Sequence, residues 1–161
     1  SLLVILLNYS HDQNHQTKSM SIPIHPDIGD VFICDFSQIN TKEPEMIKRR
    51  PVINLTPRRR PGRLCTVIPL STTAPTSIQT WHCKLHLDLP EPYNSPEMWV
   101  KADMLYTLSL DRFFLFRKGK DKNGKRIYTF PQLTEDQLEK VYRCILKGLS
   151  LHNLANSDIK L

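Results

Sequence analysis

The chain lacks the paired cysteines that build a structural metal site. Its four cysteines, Cys34, Cys65, Cys83 and Cys144, stand far apart with no C-x-x-C spacing. Cys34, Cys65 and Cys144 fall in apolar runs and read as reduced core thiols of a cytoplasmic protein. His82-Cys83-Lys84-Leu85-His86 offers ligand types, but no second pair follows, and a strand there puts both histidines on one face and Cys83 on the other. No metal and no other cofactor is therefore expected. Long apolar runs are also missing: Leu2–Leu7 falls far short of the ~20 residues that cross a bilayer, and a polar tract follows it. Without a basic segment before it or a small-residue cleavage site after it, this stretch is no secretory signal, and no membrane partner is expected. Residues 1–19 read as a leader appended or translated upstream of a natural start at Met20, with residues 1–27 loosely attached. No internal repeat is visible.

What is present is an ordinary globular composition in 161 residues, enough for one domain with a core that needs no staples. A charged fraction of 24% and an apolar fraction of 40% exclude wholesale disorder. The net charge of +6 is unevenly placed. Lys48, Arg49, Arg50, Arg58, Arg59, Arg60 and Arg63 form one cluster; Arg117, Lys118, Lys120, Lys122, Lys125 and Arg126 form another. Together they hold 13 of the 22 Lys and Arg residues. Such loops suit contact with a polyanion, or else serve only to keep the surface solvated.

From Ile28 onward the pattern is mainly β. Gly29-Asp30 turns into an apolar strand, Val31–Phe36. Further strands are expected at Pro51–Leu55, with Pro51 first because it lacks a donor, and at Leu64–Leu70. Thr80–Leu87 alternates Trp81, Cys83, Leu85 and Leu87 with polar residues, the mark of a half-buried strand. Trp99–Ala102 and Leu105–Leu108 follow, then Phe113–Arg117 and Arg126–Phe130 around a turn signalled by Asn123-Gly124. Thr134 and Gln137 make a capping box for a helix whose apolar stripe is Leu138, Val141, Tyr142, Ile145 and Leu149. Residues 151–161 are expected to fray. Many short strands with one terminal helix imply a mainly β fold, a small closed SH3-like barrel with a C-terminal α-helix, over residues 28–150.

The residues able to do chemistry sit at strand ends. Arg50, held extended by Pro51, can grip a phosphate with parallel hydrogen bonds, though an Arg-Pro pair is often only a solvated charge. Ser71 and Thr72 close a strand with hydroxyls that bind phosphate or simply cap the turn. Lys101 and Asp103, two residues apart, share a face if the chain is extended, as a proton-transfer pair or a surface ion pair.

Taken in order, Gly29-Asp30, Glu45 five residues before Arg50-Pro51, Pro69-Leu70-Ser71-Thr72 and Val100-Lys101-Ala102-Asp103 resemble the PemK/MazF family of toxin endoribonucleases over about Ile28 to Leu149. The last segment is similar to the Val-Arg-Cys-Asp of the branch containing Kid. The resemblance implies a CcdB/MazF-type barrel, a homodimer that cuts single-stranded RNA in the cytoplasm, and a cognate antitoxin as partner. By the same likeness Arg50, Ser71, Lys101 and Asp103 correspond to catalytic positions. Glu45, Arg49, Thr72, Arg58, Arg59 and Arg60 are then expected to bind substrate. Two departures stand out: Lys101 replaces an arginine, and Pro44 stands where Kid has a histidine.

The expected reaction is metal-independent transesterification. Asp103 accepts the 2′-hydroxyl proton, Arg50 and Ser71 stabilise the phosphorane, and Lys101 protonates the leaving 5′-oxygen. Trp81, Tyr93, Trp99 and Tyr106 are either base-stacking platforms or core. The alternative is an inactive or CcdB-like barrel that binds gyrase or nucleic acid without cutting.

Overall fold

A computed structural model describes residues 22, 25–37, 39–40, 42–58 and 62–158. The expected leader, Met20, Arg59 and Arg60 lie outside the described residues. In order, the described chain forms β1 (Val31–Asp35), β2 (Arg49–Asn54), β3 (Leu64–Ser71), β4 (His82–Leu85), β5 (Met98–Lys101) and β6 (Tyr106–Ser109). A 3-10 turn (Leu110–Arg112) leads to β7 (Phe113–Phe114), β8 (Phe116–Lys120), β9 (Arg126–Thr129), α1 (Glu135–Gly148) and α2 (His152–Ala155).

β3 organises the sheet. One edge pairs antiparallel with β2, setting Val52 against Pro69 and Asn54 against Val67. Its other edge serves two partners in turn: Leu64–Val67 pair with β6, then Leu70 and Ser71 pair with Val100 and Trp99 of β5. The strand order is β4-β5-β3-β2-β1-β7, with β6 also on β3, while β8 and β9 form a separate hairpin. The antiparallel sheet and terminal helix match the expected class, but no ladder closes the barrel among the described residues. The path ends at β4 on one side and at the two-residue β7 on the other, too short to carry pairing further round.

Side-chain alternation lets both faces of the sheet bury apolar surface. Val31, Ile53, Ile68, Leu70, Cys83, Leu85 and Val100 point into one core with Val141, Cys144 and Ile145 of α1. Their neighbours Phe32, Cys34, Val52, Cys65 and Val67 point the other way, joining Phe36, Leu110 and Phe113. All four cysteines are buried and none is in a disulfide. The helix starts as its sequence demands: the Thr134 side chain accepts from Gln137 N, and the Gln137 side chain accepts from Thr134 N.

Several boundaries differ from expectation, and the expected strand Phe113–Arg117 is two, β7 paired with β1 and β8 paired with β9. β2 begins two residues early, since Arg49 and Arg50 still pair with Asp35 and Cys34 of β1 on the near side of Pro51. Leu149 is the helix C-cap and 55% exposed rather than part of the buried stripe. Beyond Leu151 the chain forms α2, not a frayed end. There Arg143 Nη1 donates to the carbonyl oxygens of Ala155 (2.6 Å) and Ser157 (3.0 Å), and Ala155 is buried.

A buried amide ties the start of the fold together. Asn54, fully buried, donates from Nδ2 to the carbonyls of Pro26 (3.2 Å), Asp27 (2.8 Å) and Thr56 (2.8 Å). Its Oδ1 accepts from Thr56 N, and Thr56 Oγ1 accepts from Thr66 N at 2.7 Å. Backbone bonds from Gly29 N to Asn54 O and from Asn54 N to Asp30 O finish the joint, with Gly29 supplying a φ of +86°. Cutting this amide back takes the donor from the Thr56 carbonyl and the acceptor from Thr56 N, whereas Pro26 O keeps His25 Nδ1 and Asp27 O keeps Asp30 N. Asn54→Ala is expected to cost about 3 kcal/mol in urea unfolding, and Thr56→Val, which removes one acceptor, about 1 kcal/mol.

Candidate active site

The register of three ladders brings the strand-end residues to one place. His82 lies directly opposite Lys101 in the β4–β5 ladder, and Ser71 lies opposite Trp99 in the β3–β5 ladder. Continuing the β2–β3 register two residues past Val52 and Pro69 sets Arg50 opposite Ser71. These positions alternate with Leu70, Val100 and Cys83, all in the helix-side core, so Arg50, Ser71, Lys101 and His82 share the face turned away from α1. Asp103 joins them differently from the extended arrangement expected. β5 ends at Lys101, and a turn closed by Met104 N to Lys101 O (2.9 Å) carries the carboxylate. The end of α1 braces this turn: a Cβ on Gly148 would lie 3.2 Å from Ala102 O and 3.5 Å from Asp103 N.

The electrostatics tie the group together. Burial holds the Lys101 ammonium below the usual lysine range, Asp103 acts in the opposite sense, and the Arg50 guanidinium adds to the lowering. Burial likewise lowers the His82 imidazole, opposed by Asp103 and reinforced by Lys101. His82 Nε2 lies 4.0 Å from Asp103 Oδ1, with the His82 side chain 8% exposed and that of Asp103 39%. Arg50 Nε is buried and finds no acceptor among the described residues. Ser71 is buried too, but its Oγ donates to Thr73 O and accepts from Thr73 N, both at 3.1 Å. That is the turn-capping arrangement, and its hydrogen is already committed.

Residues 27–149 match the family described as PemK-like, MazF-like toxin of type II toxin–antitoxin systems. The chain belongs to this family. Among solved structures it is similar to an endoribonuclease from a mycobacterial species in complex with its cognate antitoxin, at 20% identity and a TM-score of 0.51. The alignment covers 78% of this chain and 96% of that one. A MazF from Deinococcus radiodurans aligns with the same identity, TM-score and coverage. Both share the fold. No curated protein matches the chain.

Around this PemK/MazF-like centre the other expected contacts are spread out. Arg49 points to Asp35, with Nε donating to Oδ2 at 2.8 Å and the guanidinium 5.0 Å from the Phe114 ring centroid. Glu45 is exposed and accepts from Lys42 N at 2.8 Å, closing its own turn. Thr72 is exposed beside Ser71. Arg58 lies beyond the opposite end of β2 from Arg50, 3.5 Å from Asp27 Oδ1, so the sheet separates it from the centre. Trp99 is buried under the Lys84 ammonium, and Tyr106 accepts from Met46 N and packs edge-on to Phe36. Tyr93 packs on Phe116 and donates to Arg49 O, while Trp81 is half-buried against the helix-side core. All four aromatics are packed.

Sequence reasoning weighed His82 only as a metal ligand and passed over it as part of this centre. The usable signal was its place, one residue before the alternating Cys83/Leu85 face and so on the face of Lys101. A groove of about 1110 Å³ lies elsewhere, between Asp88–Glu91, Arg117–Gly119 and Leu133; none of Arg50, Ser71, His82, Lys101 or Asp103 lines it.

Asp35 gives a test of Arg49. Burial raises its proton affinity, but hydrogen bonds from Ser37 and Arg49 outweigh that and hold the carboxyl below its ordinary range. A lowered carboxylate adds stability above its unfolded value that is lost as pH falls through the folded one. Arg49→Ala should therefore cost about 1 kcal/mol or less at neutral pH, the guanidinium being half exposed. It should also move the acid-unfolding midpoint upward, whereas Arg50→Ala should leave that midpoint in place; circular dichroism against pH reads both.

Proposed function

We propose that this family member is the toxin of a toxin–antitoxin pair and cleaves single-stranded RNA by internal transesterification. The observation that carries the reading is the meeting of Arg50 from β2 with Lys101 and Asp103 from the end of β5 and its turn. Asp103 takes the proton of a ribose 2′-hydroxyl, whose oxygen then attacks the neighbouring phosphorus. Arg50, whose buried Nε lacks an acceptor, stabilises the equatorial oxygens of the phosphorane. Ser71 can assist once its hydroxyl turns from Thr73 O toward the phosphate. Lys101, with its proton held less tightly than in an ordinary lysine, protonates the departing 5′-oxygen. The bond to the 5′-oxygen breaks as the bond to the 2′-oxygen forms, leaving a 2′,3′-cyclic phosphate and a 5′-hydroxyl. DNA, lacking the internal nucleophile, is not cut.

Two similar proteins lend support: one is an endoribonuclease solved with its cognate antitoxin, the other a MazF. By that likeness the partners are single-stranded RNA, an antitoxin and a second copy of the chain, all in the cytoplasm. Among the described residues no helix is long and apolar enough to cross a membrane. The antitoxin would neutralise the toxin by laying an extended or helical segment over the face that carries Arg50 and Lys101.

RNA incubated with the protein in EDTA should be cut, with cyclic-phosphate and 5′-hydroxyl ends seen on mapping. Arg50→Ala and Asp103→Ala should each slow cleavage by about 100-fold or more. Intact RNA with the wild type, or cutting unchanged in both variants, would leave the non-cleaving binder as the reading.

The β8–β9 hairpin carries a second part of the proposal. Lys118, Lys120 and Lys122 are exposed along it and supply long-range attraction to the phosphate backbone. Replacing all three by glutamine should reduce the slope of log K against log salt by about two, single strands giving ~0.7 per phosphate contact. Cleavage of saturating RNA should be unchanged.

A further inference from the structure

The imidazole of His82 is fixed in an unusually definite state. Its Nδ1 accepts the backbone N–H of Gln79 at 3.1 Å. A backbone N–H can only donate, so the proton of the neutral ring sits on Nε2. Nε2 in turn faces Asp103 Oδ1 at 4.0 Å, a gap that a small rotation of the partly exposed carboxylate or one bridging water closes. The ring is buried on three sides by the strand pairing with Lys101, the Trp81 ring 5.9 Å away and the Gln79 turn.

We propose that His82 is a positioning residue for Asp103, a neutral Nε2–H imidazole that aims the carboxylate at the ribose hydroxyl. This rests on the cleavage reading above. A base oriented by a third group is held in the geometry its reaction needs, and Asp103 needs such help because it sits on an exposed turn rather than on a strand. The charges acting on His82 come from Asp103 and Lys101. Those of Lys140 and Lys147 on α1 act on Cys83, which faces the opposite side of β4. The neutral form is favoured because burial and Lys101 both work against protonation.

Asparagine and glutamine at position 82 separate the two ring nitrogens. Asn places an acceptor near the former Nδ1 and keeps the Gln79 contact; Gln reaches a donor to the former Nε2. With a short RNA substrate, His82→Ala and His82→Asn should each lower kcat by about 10- to 100-fold, with KM within about threefold. His82→Gln should recover most of the rate. Adding His82→Ala to Asp103→Asn should cost nothing further. An activity-free measurement runs alongside: nitrogen NMR should show Nδ1 unprotonated and Nε2 protonated, and Asp103→Asn should shift the His82 titration to lower pH.

Equal rates for Asn and Gln, or a wild-type rate in His82→Ala while Asp103→Asn is inactive, overturn the inference and leave the cleavage reading standing. A His82 titration unmoved by Asp103→Asn overturns it as well. If Asp103→Asn cuts RNA as fast as wild type, the cleavage reading itself fails and the inference falls with it. Should His82→Ala not fold, as read from its Tm, the Asn/Gln comparison and the NMR titration decide the matter.

Discussion

The structure depends on one strand serving three neighbours. β3 holds β2 on one edge and, on the other, β6 and then β5, the change falling at Ile68-Pro69. Only the second half of the strand, Leu70 and Ser71, touches β5. That short contact brings Lys101 and Asp103 to the end of the sheet where Arg50 enters β2. A one-residue slip in either ladder would turn Arg50 or Lys101 into the helix-side core, where a charge could not stay unpaired. Register is therefore fixed twice, by the apolar residues that must face in and by the charged ones that must not.

The same arrangement accounts for the site's electrostatic character. One arginine, one lysine and one carboxylate meet on a face backed by an apolar core, and burial works against charge on Lys101 and His82 alike. Arg50 Nε lies buried there without an acceptor among the described residues. In the proposed reaction the phosphate oxygens take up what the protein leaves open. Stability is supplied elsewhere, by the two apolar cores, by the Asn54 amide and by α1, whose Gly148 closes on the Asp103 turn. A guanidinium nitrogen left unmatched on this face fits the site proposed.

Much of this was legible in the sequence because it depends on local physics. Strict alternation marked β4, the Thr134/Gln137 pair marked the start of α1, and Asn123-Gly124 marked the β8–β9 turn, where Gly124 takes a φ of +77°. Arg50, Lys101 and Asp103 were named because residue types at strand ends carry chemical meaning. What stayed hidden is non-local. The division of β3 between β5 and β6 follows from how two later strands share an edge, which no window along the chain reveals. The turn under Asp103 arises because β5 stops one residue earlier than its composition suggests, and α2 is held by Arg143 reaching across to its last carbonyls. Arg49 and Arg50 are adjacent and chemically identical, yet strand parity sends one to Asp35 and leaves Nε of the other without an acceptor among the described residues.

That parity also bears on the exchange of arginine for lysine at position 101. An arginine there would keep its charge at every accessible pH and compete with Arg50 for the same phosphate oxygens. A lysine weakened by burial and by Arg50 gives up planar grip but holds a proton it can release. In the proposed reaction the two cations then divide the work: Arg50 carries the phosphate, the more so because the Ser71 hydroxyl is tied to Thr73, and Lys101 carries the proton. The Asp103 carboxylate needs a fixed direction more than added charge, and a neutral imidazole facing it can give that direction without neutralising it. On this argument the departure at position 101 and the histidine opposite it belong to one design, a centre that uses lysine for acid chemistry and histidine for alignment.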